Sequence, residues 1–212
     1  MTKVRSNIAI SLDGYAAGPN QTEEQGLGEG GEQLHEWAFQ LRVFNEIHGR
    51  EGGEINESDA VLRETFTNVG ARVMGRNMFG AALGRGTRMT PGTDGGATSP
   101  LSARRSTCSR TTSASRSSSR TAPSSTSSPT GSSLHSQARA TAGEEDIHLP
   151  GGAETINEYL VAGEVDELLL HVVPVLLGDG ARLFEGVGPD VALEQLQAVE
   201  APGVTHVKYR VG

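Results

Sequence analysis

The chain has 212 residues, of which 35% are apolar, only 4% aromatic, and 28 glycine; that length suits one domain or two small ones, with less apolar material than a compact enzyme usually carries. Its formal charge of −8 is the sum of −15 over residues 1–80 and 144–212 and +7 over residues 81–143, so the acidic majority argues against nucleic acid or a membrane surface as partner, both being anionic. The single cysteine, Cys108, excludes an internal disulfide framework and a multi-cysteine zinc site and suits a reducing, cytoplasmic compartment, while the short apolar start, cut off at Asp13, predicts neither signal peptide nor membrane span.

Val4 to Leu12 alternates apolar and polar residues and predicts an opening strand, stopped by the turn pair Asp13-Gly14. After a glycine- and glutamate-rich loop, Leu34, Trp37, Ala38 and Leu41 recur at helical spacing. Asp59 is placed to cap a second helix carrying Val61, Leu62, Thr65, Phe66 and Val69, which Gly70 would end. Ala71 to Met74 predicts a short strand closing on Gly75. The order is ordinary α/β grammar.

From Ala81 that grammar stops. Residues 101–136 hold 15 Ser, 6 Thr and 5 Arg in 36 positions, too little apolar surface to offset the entropy of ordering them. Residues 81–139 are therefore expected to be a low-complexity interruption of one domain spanning 1–212, either disordered or translated out of frame. Order resumes with a strand at Asp146 to Leu149, a turn at Pro150-Gly151-Gly152, and a helix from Ala153 to about Ala162. Val165 to Leu177 is apolar too continuously for a surface strand and is expected at the sheet centre. Leu193 to Val199 and Val204 to Val211 predict an antiparallel hairpin.

Three glycine turns at strand ends stand where ligands sit in open α/β sheets. At the first, Asp13 could orient a polar substrate, or could be a turn residue bonding its own backbone. At the second, Gly75 and Arg76 could meet a phosphate, the guanidinium as a charged fork; an idle surface arginine would look the same. At the third, Gly151, Gly152, Ala153 and Glu154 lead from strand into helix, which can offer unpaired amides to a phosphate or can simply be a tight turn. The six histidines form no metal-ligating spacing, and His171, inside an apolar run, reads as a core or interface residue rather than a base.

Taken in order, these stretches resemble the reductase domain of bacterial riboflavin biosynthesis and the dihydrofolate-reductase-like superfamily. The resemblance is carried by Asn7-Ile8-Ala9-Ile10-Ser11-Leu12-Asp13-Gly14-Tyr15, by Arg72-Val73-Met74-Gly75-Arg76-Asn77-Met78-Phe79, by Leu149-Pro150-Gly151-Gly152-Ala153, and by the long run from Val165 to Phe184. It implies a three-layer α/β fold with a mostly parallel mixed sheet and a C-terminal antiparallel hairpin. It also implies an NADPH-dependent oxidoreductase, acting on a phosphoribosylamino-pyrimidine or related pterin-like small molecule, and a homodimer. Through it Asp13 would face substrate, and Gly75, Arg76, Asn77, Gly151, Gly152, Ala153 and Glu154 would hold the cofactor. Met78 stands where relatives carry a cofactor-bonding threonine. The zinc deaminase motifs of the companion domain are absent from the sequence. Dihydrofolate-reductase-like activity and a noncatalytic dimeric nucleotide-binding protein are the alternatives.

Overall fold

In the first strand, β1 (Val4–Ser11), Val4, Ile8 and Ile10 point to one side of a sheet and Arg5, Asn7 and Ala9 to the other, as the two-residue period of a strand requires. The computed structural model describes residues 2–22, 24–75, 106–109 and 131–212, with backbone alone for 106–109 and 131–134. Its strands continue with β2 (Tyr15–Ala17), β3 (Val69–Gly75), β4 (Ser106–Ser109), β5 (Asp146–Leu149), β6 (Glu167–Val173), β7 (Ala181–Arg182), β8 (Leu193–Ala201) and β9 (Val204–Val211). The helices are α1 (Glu36–Phe39), α2 (Arg42–Ile47), α3 (Glu57–Thr65), α4 (Gly131–Ala142) and α5 (Ala153–Val161).

Seven strands form one sheet in the order β4-β3-β5-β1-β6-β9-β8, and β2 pairs with β7 apart from it. The first five are parallel to one another; β6 and β9, then β9 and β8, are antiparallel. The sheet is thus mixed and mostly parallel, with the expected C-terminal hairpin. The run expected at the centre supplies β6, hydrogen-bonded on both edges, by β1 and β9. Strand β1, from one end of the sequence, lies between β5 and β6 from the other.

Helices cover both faces, making three layers. On one face Val4, Ile8, Ile10, Ala71, Val73, Ile147, Leu149, Leu168 and Leu170 pack against Ala138 and Ala142 of α4 and Ile156, Tyr159 and Leu160 of α5. The spacing of Ala153, Ile156 and Leu160 places an apolar stripe on one side of α5, and burying each large side chain contributes about 1.5–3 kcal/mol. The other face carries Ala9 and Val173 against Leu34, with Trp37 and α2–α3 completing that layer. Between the apolar contacts it is polar: Arg5, Asn7, His148, His171 and His206 lie there.

Several elements differ from the sequence expectation. The helix expected around Leu34 to Leu41 is a 3-10 turn (Gly31–His35) followed by the four-residue α1, although Leu34, Ala38 and Leu41 are buried as their spacing requires. Trp37 donates its indole N–H to the Leu34 carbonyl at 2.9 Å, occupying an acceptor at the junction between the two. The cap of α3 is Asn56, whose side chain accepts from the Asp59 amide at 3.2 Å; Asp59 lies inside the first turn and accepts instead from the Val43 amide at 2.7 Å. Gly70 does not end α3. It lies within β3, where a Cβ would stand 2.6 Å from the Ala142 carbonyl oxygen, so it allows α4 to approach the sheet. Within the span expected to lack structure, Ser106–Ser109 pairs in parallel with Arg72–Gly75 as an edge strand, and Gly131–Ala142 is helical. Backbone hydrogen bonding needs no apolar side chain, which is why composition did not reveal that strand. The remainder of 81–139 lies outside the described residues.

Candidate functional site

The carboxyl ends of β1, β3, β5 and β6 form one rim of the sheet, and every described candidate residue lies on it. At the end of β1 the Asp13 carboxylate accepts from the Ser11 hydroxyl at 2.5 Å and from the amides of Leu177 at 3.2 Å and Gly178 at 2.7 Å. Ser11 Oγ in turn accepts from the Tyr15 amide at 3.0 Å. These donors, the hydroxyl first, hold the Asp13 carboxyl down at about 2, opposed by partial desolvation. Asp13 therefore ties the β1–β2 turn to the segment after β6.

At the ends of β3 and β5 the two other glycine turns meet. The Gly75 amide donates to the Gly151 carbonyl at 3.3 Å, and a Cβ on Gly75 would come 2.7 Å from the Thr155 hydroxyl. The Gly151–Gly152 peptide bond is cis. Gly152 precedes α5 with extended backbone and no side-chain cap; the first intrahelical bond runs from the Ile156 amide to its carbonyl at 3.1 Å. The amides of the first helical turn face the rim at the positive end of a nine-residue helix. A Cβ on Gly152 would meet nothing within 4 Å among the described residues. Arg76 and Asn77 lie outside the described residues.

Helix α5 is joined to the Asp13 side by contacts the sequence reading missed. Asn157, almost fully buried, donates to the Arg182 carbonyl at 3.2 Å and accepts from the Phe184 amide at 2.8 Å. Strand β7, holding Arg182, pairs with β2, and the Arg182 guanidinium lies 5.6 Å from the centre of the Tyr15 ring. An asparagine on the apolar stripe of a helix was the available signal, since a buried amide needs partners. Between α5 and β7 opens a groove of ≈ 560 Å³, lined among others by Ala153, Glu154, Asn157, Glu158, Arg182 and Glu185. Burial, then the charge of Glu154, raises the Glu158 carboxyl above its ordinary value. This groove is acidic: Glu154, Glu158 and Glu185 line it against Arg182 alone. Among the described residues no cluster of three or more His, Cys, Asp or Glu is arranged to hold a metal ion, and no helix is long and apolar enough to cross a membrane.

Residues 134–207 match the RibD C-terminal domain family model. Among curated proteins, an uncharacterized protein from Bacillus subtilis, YwjB, is 41% identical over 39 residues, covering 18% of this chain and 22% of that protein. Among solved structures, a protein from Shewanella sp. PV-4 whose name assigns it to riboflavin biosynthesis superposes with a TM-score of 0.59 at 17% identity, covering 100% of this chain and 99% of that one. RibD of Acinetobacter baumannii gives 0.53 at 16% identity, and the Thermotoga maritima diaminohydroxyphosphoribosylaminopyrimidine deaminase/5-amino-6-(5-phosphoribosylamino)uracil reductase 0.53 at 14%. Each covers 100% of this chain, which spans 58% and 57% of theirs. Residues 134–207 thus match the RibD C-terminal domain model, and the whole chain has the three-layer α/β fold, with a mixed and mostly parallel sheet, of the solved structures it superposes on.

Proposed function

We propose that the chain is an NADPH-dependent reductase of the riboflavin-pathway type, acting on a phosphoribosylamino-pyrimidine or a related pterin-like molecule. The observation that carries this reading is the uncapped amide rim at Gly151-Gly152-Ala153, inside the stretch that matches the RibD C-terminal domain model and with open space before it. Gly151, Gly152 and Ala153 would hold the cofactor pyrophosphate through backbone N–H groups. Gly75, with no side chain, lets β3 close on that turn, and Arg76 and Asn77 would extend the same site. NADPH, when bound, supplies the hydride. The Asp13 knot holds the β1–β2 turn against the Leu177–Gly178 segment, fixing the substrate side of the rim. The outermost strand β8, with Leu193 and Leu196 about 40% exposed, supports a homodimer.

The test is an NADPH fluorescence titration followed by loss of NADPH absorbance with the phosphoribosylamino-pyrimidine and, separately, with dihydrofolate. Oxidation with the pyrimidine is the expected result. Oxidation with dihydrofolate alone moves the activity to the dihydrofolate class; binding without oxidation makes the chain a nucleotide-binding module, and no binding refutes the reading. Light scattering at twice the chain mass is expected for the dimer.

A further inference from the structure

The polar face of the sheet carries a hydrogen-bonded file that the rim does not use. The Ser58 hydroxyl, at the start of α3, lies 2.9 Å from His206 Nε2; His206 Nδ1 lies 2.7 Å from His171 Nδ1. His171 Nε2 is 3.5 Å from Asn7 Nδ2, and Asn7 Oδ1 is 2.5 Å from His148 Nε2. The file crosses β9, β6, β1 and β5 in turn. Ser58, His148, His171 and His206 are each 2% exposed.

The amide of Asn7 sets its direction. Its oxygen accepts from His148 Nε2–H and its nitrogen donates to His171 Nε2, so His171 carries its proton on Nδ1. That proton is donated to His206 Nδ1, which leaves His206 protonated on Nε2 and donating to Ser58. Every ring is neutral with one assigned tautomer. The reversed file would place an N–H, rather than a lone pair, on His148 Nδ1, which is buried with no hydrogen-bond partner among the described residues; the direction given is the cheaper one.

A second proton has no place in this file. On His171 Nε2 it would oppose the Asn7 amide hydrogens, and on His206 Nδ1 it would oppose His171 Nδ1–H. Around the paired rings stand Trp37 of α1, with ring centres 5.0 Å from both histidines, His35 of the 3-10 turn, Asn7 of β1 and Ser58 of α3. Around His148 stand Arg5 of β1, Arg72 of β3 and Phe66 after α3. A cavity of ≈ 30 Å³, the size of a water site or two, opens beside the file and is lined in part by Glu64, Glu167, His206 and Lys208. Lys208 pairs there with Glu64 at 2.7 Å and with Glu167 at 3.8 Å.

We propose that the Ser58–His206–His171–Asn7–His148 file is a proton-sensitive clasp: neutral, it fastens the Trp37-to-α3 layer to the sheet, and protonation releases that layer before the rest of the fold. Burial pushes His206 down to about 4 and His171 well below its ordinary range, the latter also through His206 and His35. Burial, then the charges of Arg72 and Arg5, pushes His148 down to about 3. Folded values depressed in this way mean that the docking is complete above the unfolded value of 6.5 and is lost as pH falls toward 4. Each ring that must stay neutral weakens docking by up to about tenfold per pH unit in that window, so the His171–His206 pair gives up to about 100-fold.

Trp37 is the only tryptophan, so its emission reads the clasp directly. Between pH 6.5 and 4 the emission should shift while far-UV circular dichroism is retained. In His171→Asn/His206→Gln, which keeps amide hydrogen bonding but cannot titrate, the shift should move down by at least one pH unit or vanish. An unchanged shift in that variant, or emission and dichroism lost together in the parent, overturns the proposal. Should the variant fail to fold, ring nitrogen NMR of the parent decides: His171 protonated on Nδ1 and His206 on Nε2, both titrating well below the ordinary 6.5, is expected. The Nε2–H tautomer at His171, or either ring titrating near 6.5, overturns it.

Discussion

Replacing Gly152 by alanine separates the cofactor reading from the stability of the fold. Gly152 has φ −71° and ψ −178°, extended backbone that alanine adopts freely, and its Cβ would meet nothing within 4 Å. Folding stability should therefore stay within about 0.5 kcal/mol of the parent, the usual range for a surface change. The methyl group would occupy the approach of a phosphate to the first-turn amides. Losing one hydrogen bond to a charged group costs about 1.5–3 kcal/mol, so at about 1.4 kcal/mol per decade the NADPH dissociation constant should rise roughly 10- to 100-fold. Urea unfolding of Gly152→Ala gives the first quantity and NADPH fluorescence titration the second. A stable variant that binds NADPH within about twofold of the parent would show that no phosphate rests on this turn.

Gly180→Ala should behave in the opposite way. Gly180 has φ +128°, and a Cβ there would stand 2.1 Å from the Ala17 carbonyl oxygen, so a loss of about 1–3 kcal/mol or more is expected in urea; a smaller loss would mean that β2 and β7 need not approach so closely. Leu168→Ala empties a fully buried site between β1 and β9 and should cost about 2–5 kcal/mol in the same assay. Asp13→Asn should speed hydrogen exchange at the Leu177 and Gly178 amides, which lose their charged acceptor. In the parent, the depressed Asp13 carboxyl makes its contribution present above the ordinary value of 3.8 and lost as pH falls through about 2. Equal exchange in parent and variant would refute the tie.

Elements written by local pattern were legible in the sequence: β1 from the alternation over Val4 to Leu12, α5 from the Pro150-Gly151-Gly152 turn that opens it at Ala153, and the C-terminal hairpin from its two apolar runs. Cap and turn details were less so. Asn56 and Asp59 both suit a helix start, and only the position of Val43 decides that Asp59 faces backwards. The rim glycines were legible because few residues allow a strand to turn directly into a helix, whereas Asn157 and Arg182 meet through a segment whose path no local pattern records. The histidine file was beyond sequence reading: its links join residues 35 to 164 positions apart, and only the strand register aligns them.

The placing of β1 also bears on how the chain is born. Its neighbours pair Val4 with Ile147 and Arg5 with Glu167, so β1 finds neither partner strand until some 140 further residues have been made. At roughly 5–20 residues per second, an apolar segment waits about 7–28 s without a strand partner. Chaperone demand during synthesis should therefore fall on β1, and shielding Val4–Ser11 should raise the yield of folded protein more than strengthening any contact within the finished sheet.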